Sequence, residues 1–148
     1  MGIIEDITTH QRIMCDKAPI IYFIEDHSIY GRVSEELFRF VSINSDVHLF
    51  SSVITLTEVL TQPLRKSRFD IAEIYRDFLL NSVNFNLYPV DAIIAEKSAE
   101  IRARYSIKTP DAIQIAVAVE NNASLFITND AVLKKIDEIE VFVLSDYL

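Results

Sequence analysis

Apolar positions along this chain alternate between short continuous runs and stripes spaced three and four residues apart, and that alternation predicts its elements. Gln11 to Cys15 reads as a short strand ending at Asp16, and Pro19 is placed to open a helix through Ile24. From Ile29 to Ile43, the apolar residues Val33, Leu37, Phe40 and Val41 have amphipathic helical spacing, and a strand follows at Val47 to Phe50. Ser51 and Ser52 can cap a helix from Val53 to Thr61, which Pro63 ends or bends. Phe69 to Asn81 reads as a helix with Ile71, Ile74, Tyr75 and Phe78 on its inner side. A third strand is expected at Asn84 to Tyr88, then a helix from Asp91 to Tyr105 that keeps Ile93, Ile94 and Ile101 inside. Thr109 and Pro110 signal the start of a helix from Asp111 to Glu120 that is apolar on nearly every side and so should be buried. Ser124 to Thr128 is a fourth strand, Ala131 to Ile136 a short helix, and Val141 to Leu144 a fifth strand.

Strands alternating with helices imply crossover connections and a largely parallel sheet covered on both faces. The 148 residues suit one domain spanning 1–148, and no repeat or Gly/Ser/Pro-rich linker divides them. The single cysteine, Cys15, has no intrachain partner, which fits a reducing compartment. The start of the chain carries Glu5 and Asp6 rather than the basic flank and apolar core of a leader. The apolar run Ala18 to Ile24 is about a third of a bilayer span. A soluble, cytoplasmic protein with no membrane partner is the expectation.

Charge complicates the picture. A net charge of -8 argues against broad electrostatic attraction to nucleic acid. Carboxylates gathered to hold divalent metal would lower the net charge in the same way, while the ions restore positive charge locally. Two basic clusters also stand out: Arg65, Lys66 and Arg68, then Arg102, Arg104 and Lys108. Ordinary solvated surface explains either.

Ligands of a parallel α/β sheet bind beyond the carboxyl ends of its strands. Asp16 follows the first strand and Asp130 the fourth, so both fall on that edge, and Asp111 lies in the first turn of a helix starting near it. Glu58 lies further inside its helix, on a side shared with Thr55 and Gln62 and opposite Val53, Leu56 and Leu60. Each acid also has a plain structural reading: turn residue for Asp16, solvated face for Glu58, macrodipole partner for Asp111, helix cap for Asp130. Together they would repel one another unless a cation bound among them. All-oxygen ligation selects a hard ion, Mg²⁺ with Mn²⁺ as substitute, which can activate water for phosphodiester hydrolysis.

Other chemistries fit less well. A phosphoacceptor receiver would need an aspartate ending its third strand, where Tyr88 and Pro89 stand, and with only Gly2 and Gly31 no glycine-rich phosphate loop is available. Cys15 reads as a buried strand residue, and His10, His27 and His48 have no ligand spacing.

The stretches Cys15 to Glu25, Ser51 to Val59, Thr109 to Ala116 and Phe126 to Asp130 resemble the PIN domain family, especially the VapC-like ribonuclease toxins of toxin-antitoxin pairs. The Thr109-Pro110-Asp111-Ala112 helix start and the Thr128-Asn129-Asp130 strand end are its more specific pieces. The resemblance implies a three-layer fold around a five-stranded parallel sheet, Mg²⁺ or Mn²⁺, and endonuclease action on RNA. It further implies that Asp16, Glu58, Asp111 and Asp130 are the catalytic, metal-holding acids, that a small antitoxin protein inhibits the chain, and that it forms a homodimer. Two features depart from the family. Lys17 stands where such proteins usually place Thr or Ser, and an ammonium there can pair with carboxylates and compete with metal. Met1 to His10 also extend beyond the usual start. Lys17 and the acidic balance motivate the rival reading of a non-catalytic RNA- or protein-binding module that keeps the fold with a degraded metal site.

Overall fold

Strand residues that alternate in direction and are apolar on both sides need cover on both faces, and the computed structural model, which describes residues 2–148, supplies it. The strands are β1 (Arg12–Cys15), β2 (His48–Ser52), β3 (Phe85–Tyr88), β4 (Leu125–Thr128) and β5 (Glu140–Val143). All neighbouring pairs are parallel, in the order β3-β2-β1-β4-β5. Ile13, Cys15, Leu49, Leu125 and Ile127 point into one core with residues of α1 (Ile3–Ile7), α2 (Lys17–Ile24), α3 (Gly31–Ile43), α4 (Val53–Arg65) and α5 (Phe69–Asn81). Met14, Phe50 and Phe126 point into the other, against α6 (Ala92–Tyr105) and α7 (Thr109–Glu120). The architecture is therefore helix, sheet, helix, as expected.

The strand order matters for function. The chain builds outward from β1 to β2 and β3, then crosses back to lay β4 on the other side of β1. Connections leaving β1 and β4 diverge to opposite faces, which opens a crevice beyond their carboxyl ends.

Several expected details are corrected. Asp16 caps α2 through the Ala18 N–H, so the helix begins at Lys17 and buried Pro19 sits inside its first turn, where no backbone donor is missed. Pro63 does not end α4, which runs two residues further to Arg65. Near a helix end proline forfeits little, and the last carbonyls find donors: Gln62 accepts from Lys66, Leu64 from Ser67 and Pro63 from Arg68. Leu56 and Leu60 of α4 pack against the core as expected, but the most deeply buried residues of the helix are Thr55 and Val59, and Val53 is exposed. In α5 the buried residues are Ala72, Tyr75 and Leu79, while Ile74 is 55% exposed. Tyr75 packs in the core and donates its hydroxyl to Glu25 at the end of α2. Ile93 is likewise 64% exposed, because the stripe of α6 facing the sheet is Ile94, Ser98 and Ile101. The segment after β4 is a 3₁₀ turn, Ala131–Lys135.

The N-terminal extension has a packing role. Ile3 and Ile7 of α1 are buried in the first core, and Asp6 accepts a hydrogen bond of 2.9 Å from the Tyr147 hydroxyl, tying the two ends of the chain together. Among the described residues no helix is long and apolar enough to cross a membrane.

Candidate active site

Asp16, Glu58, Asp111 and Asp130 line one cleft of about 370 Å³, together with Lys17, Lys108 and Thr128. The crevice between β1 and β4 brings Asp16 and Asp130 there, and the first turn of α7 adds Asp111. Glu58 reaches the cleft from the second turn of α4. A groove of similar volume, about 390 Å³, lies between α2, α3 and α5, walled by Phe23, Phe38 and Phe78, and contains none of these acids.

Two of the acids are held at both oxygens. Asp16 accepts from the Ala18 N–H at 3.0 Å and from the Thr128 hydroxyl at 2.6 Å. The Thr128 oxygen in turn accepts the Asp130 N–H at 3.1 Å, so one buried hydroxyl joins the ends of the two strands. Glu58 accepts from the Gln114 amide at 3.3 Å on one oxygen, and the Lys17 ammonium stands 3.4 Å from the other. Asp130 caps the 3₁₀ turn through the Val132 N–H at 3.0 Å. Cap roles for Asp16 and Asp130 are thus real, and they coexist with a place in the cleft.

Electrostatics mark the same group. Burial raises the Asp16 carboxyl to a pKa of about 6; the Thr128 and Ala18 hydrogen bonds oppose this, and the charges of Glu58 and Asp111 add to it. Asp111 is also raised, first by burial and then by Asp130 and Glu58, with Lys108 and Lys17 pulling the other way. The acids disfavour one another's charge, and two lysines already offset part of that cost.

Sequence spacing does not single out Gln114 as a site residue, yet it supports the cleft. It is 2% exposed, accepts from the Ser52 hydroxyl at 2.6 Å, and donates to Thr55 at 2.7 Å as well as to Glu58. The available signal is its lone polarity in the apolar run Ala112 to Ala118. Thr55 further shares a hydrogen bond with Ser51, whose hydroxyl donates to the Cys15 carbonyl, so a buried polar network runs from β1 to Glu58.

The basic clusters do not act as units. Arg68 is engaged by both oxygens of Asp70, Arg104 by Glu138, and Arg102 by the Ile107 carbonyl. Lys108 alone of the second cluster lines the cleft. Cys15 is buried, and burial with the neighbouring Asp16 charge pushes its thiol pKa up, away from nucleophile chemistry. The histidines serve packing: His10 bonds Ser124, His27 accepts two backbone donors at the start of α3, and His48 meets Tyr88.

Among the described residues no three carboxylate, imidazole or thiol groups stand close enough to grip one ion together. The donor set nevertheless fits a hard divalent ion. Mg²⁺ is commonly held by one or two carboxylates with water completing its octahedron, and acids that raise one another's pKa gain most from such a charge.

Comparison with known proteins bears on the fold that frames this cleft. The PIN domain family model matches residues 13–139. No curated protein matches the chain in sequence. Among solved structures, VapBC2 from Rickettsia felis bound to a DNA fragment from its promoter is similar with TM-score 0.72 and 17% identity, covering 90% of this chain and 98% of that one. DNA-bound VapBC from Salmonella typhimurium gives the same TM-score of 0.72, identity of 17% and coverage of 90% and 98%. VapC20 from Mycobacterium tuberculosis, a Sarcin-Ricin loop cleaving toxin, gives 0.64 at 18% identity, covering 77% and 86%. The structures share the fold at low identity, and the family model spans both strands and the helix that frame the cleft: the chain belongs to the PIN domain family.

Proposed function

We propose that this chain is a metal-dependent endoribonuclease and the toxin of a toxin-antitoxin pair. The observation that carries the proposal is the meeting of Asp16, Glu58, Asp111 and Asp130 in one cleft at the carboxyl edge of a PIN sheet, where burial and mutual repulsion raise Asp16 and Asp111. Held by one or two of these acids with water completing its shell, Mg²⁺ or Mn²⁺ would supply Lewis-acid polarisation of the phosphate and a more acidic water. The chain's own residues do the rest. Thr128 and Gln114 fix the aspartate and glutamate orientations before substrate arrives, and Lys108 brings positive charge to a cleft that must accept a phosphodiester.

RNA as substrate is supported by the family and by the Sarcin-Ricin loop cleaving neighbour. A small antitoxin as partner is supported by the toxin-antitoxin complexes among the structural neighbours. The apolar groove between α2, α3 and α5, with Glu35 and Arg39 beside its phenylalanines, suits an amphipathic segment of that antitoxin. A second copy of the chain completes the proposed partners.

Purified protein is expected to cut RNA internally with Mg²⁺ or Mn²⁺ and to stop on addition of EDTA. Cutting that persists in EDTA would remove the metal mechanism. The ion pair between Lys17 and Glu58 favours a second reading, a non-catalytic module whose lysine has replaced the metal. Such a module binds no Mn²⁺ in an Asp111-dependent way, so a titration of parent and Asp111→Asn separates the two.

A further inference from the structure

The cleft contains a cation of its own. Lys17 opens α2 directly after Asp16, and its ammonium stands 3.4 Å from the Glu58 oxygen that Gln114 leaves free. The two ends of this pair differ in accessibility: the Lys17 side chain is 50% exposed and that of Glu58 20%. Glu58 is also anchored by the Gln114 amide, whereas the ammonium rides on a flexible four-carbon stem that carries it into water at small cost. A competing cation that reaches Glu58 therefore moves the lysine and leaves the glutamate in place. Lys108 lines the same cleft and, among the described residues, has no ion-pair partner.

We propose that Lys17 is a resident counter-cation, displaced from Glu58 by an incoming divalent ion, and that the released ammonium joins Lys108 in holding a phosphate of the bound RNA. The proposal rests on the metal-dependent nuclease reading. It explains how a lysine can occupy this position without disabling the cleft: the same charge quenches carboxylate repulsion in the empty protein and serves substrate in the loaded one. The exchange has a cost in metal affinity, since the ion must break an ion pair and then sit near a positive charge. For a half-exposed pair that cost is modest, roughly three- to tenfold in affinity.

The test uses the full chain at constant ionic strength. Mn²⁺ binding is followed by calorimetry or by loss of the free-ion EPR signal in the parent, Lys17→Met and Lys17→Arg. Lys17→Met is expected to bind Mn²⁺ about three- to tenfold tighter than the parent, and Lys17→Arg, which keeps the charge, no tighter than it. A short phosphorothioate RNA is then titrated with and without saturating Mn²⁺. Mn²⁺ should strengthen RNA binding by the parent at least about threefold more than by Lys17→Met. Equal Mn²⁺ affinity in the parent and Lys17→Met overturns the exchange and leaves the nuclease reading standing. Equal strengthening of RNA binding overturns the phosphate role. Absence of Mn²⁺ binding in all three proteins overturns the metal reading itself, and the exchange with it.

Discussion

Asp16 carries the largest unfavourable charge in the cleft, and its hydrogen bonds do not cancel the burial that produces it. An acid whose pKa is higher folded than unfolded keeps its proton in the native state over a range where the unfolded chain has lost it. Stability from this group is therefore greatest near pH 4 and declines as pH rises through about 6. Asn can keep both contacts at this position, accepting the Ala18 N–H with its oxygen and meeting Thr128 with its amide. In EDTA, Asp16→Asn should match the parent near pH 4 and exceed it by roughly 1 to 3 kcal/mol above pH 7, read from urea unfolding at both values. Asp111→Asn should show the same sign with a smaller gain, because Lys108 and Lys17 already relieve it. Both variants should lose RNA cleavage, and metal should raise their melting temperatures less than the parent's. Variants less stable than the parent at both pH values would mark these acids as caps alone.

Between elements, the notable link is Gln114, which joins α7 to the start of α4 and to Glu58. Replacing it by Leu keeps the volume and deprives Ser52 of an acceptor and Thr55 and Glu58 of a donor. The expected loss is about 1 to 3 kcal/mol in urea unfolding, with a smaller rise in melting temperature on adding Mn²⁺. An unchanged metal response would mean that Glu58 is oriented without it. At this same scale the helical pattern of the sequence is ambiguous for a physical reason. A 3.6-residue period lets neighbouring positions share a stripe, so Ile74 with Tyr75, and Ile93 with Ile94, compete for the inside. Tyr75 lies on the stripe shared with Ala72 and Leu79, with its hydroxyl satisfied by Glu25, and Ile94 lies on the stripe that Ser98 and Ile101 continue.

For the molecule as a whole, a net charge of -8 must be reconciled with a polyanionic substrate. Exposed Arg65 and Lys66 lie about 10 Å along α4 from Glu58 and, unlike Arg68, have no carboxylate partner among the described residues. Changing both to Ala should weaken RNA binding and reduce the slope of log affinity against log salt by about 0.7 for each phosphate that is no longer neutralised, while Arg68→Ala should have less effect. A slope unchanged in the double variant would return them to ordinary surface.

The succession of strands and helices from residue 11 onward, the burial of the Asp111 helix and the gathering of Asp16, Asp111 and Asp130 at one sheet edge were legible in the chain from local spacing and from the rule that parallel sheets gather ligands at their carboxyl edge, whereas Glu58 joined them through the resemblance to the PIN family and α1 carried no such signal. Only the tertiary structure decided which helix faces turn inward, that Thr128 bridges Asp16 and Asp130, that Gln114 orients Glu58, and that Lys17 points at Glu58 rather than at solvent alone. Apart from the turn between Thr128 and Asp130, these contacts join residues tens of positions apart. A lone hydroxyl or amide finds its partner through the packing of whole elements, which no local period encodes.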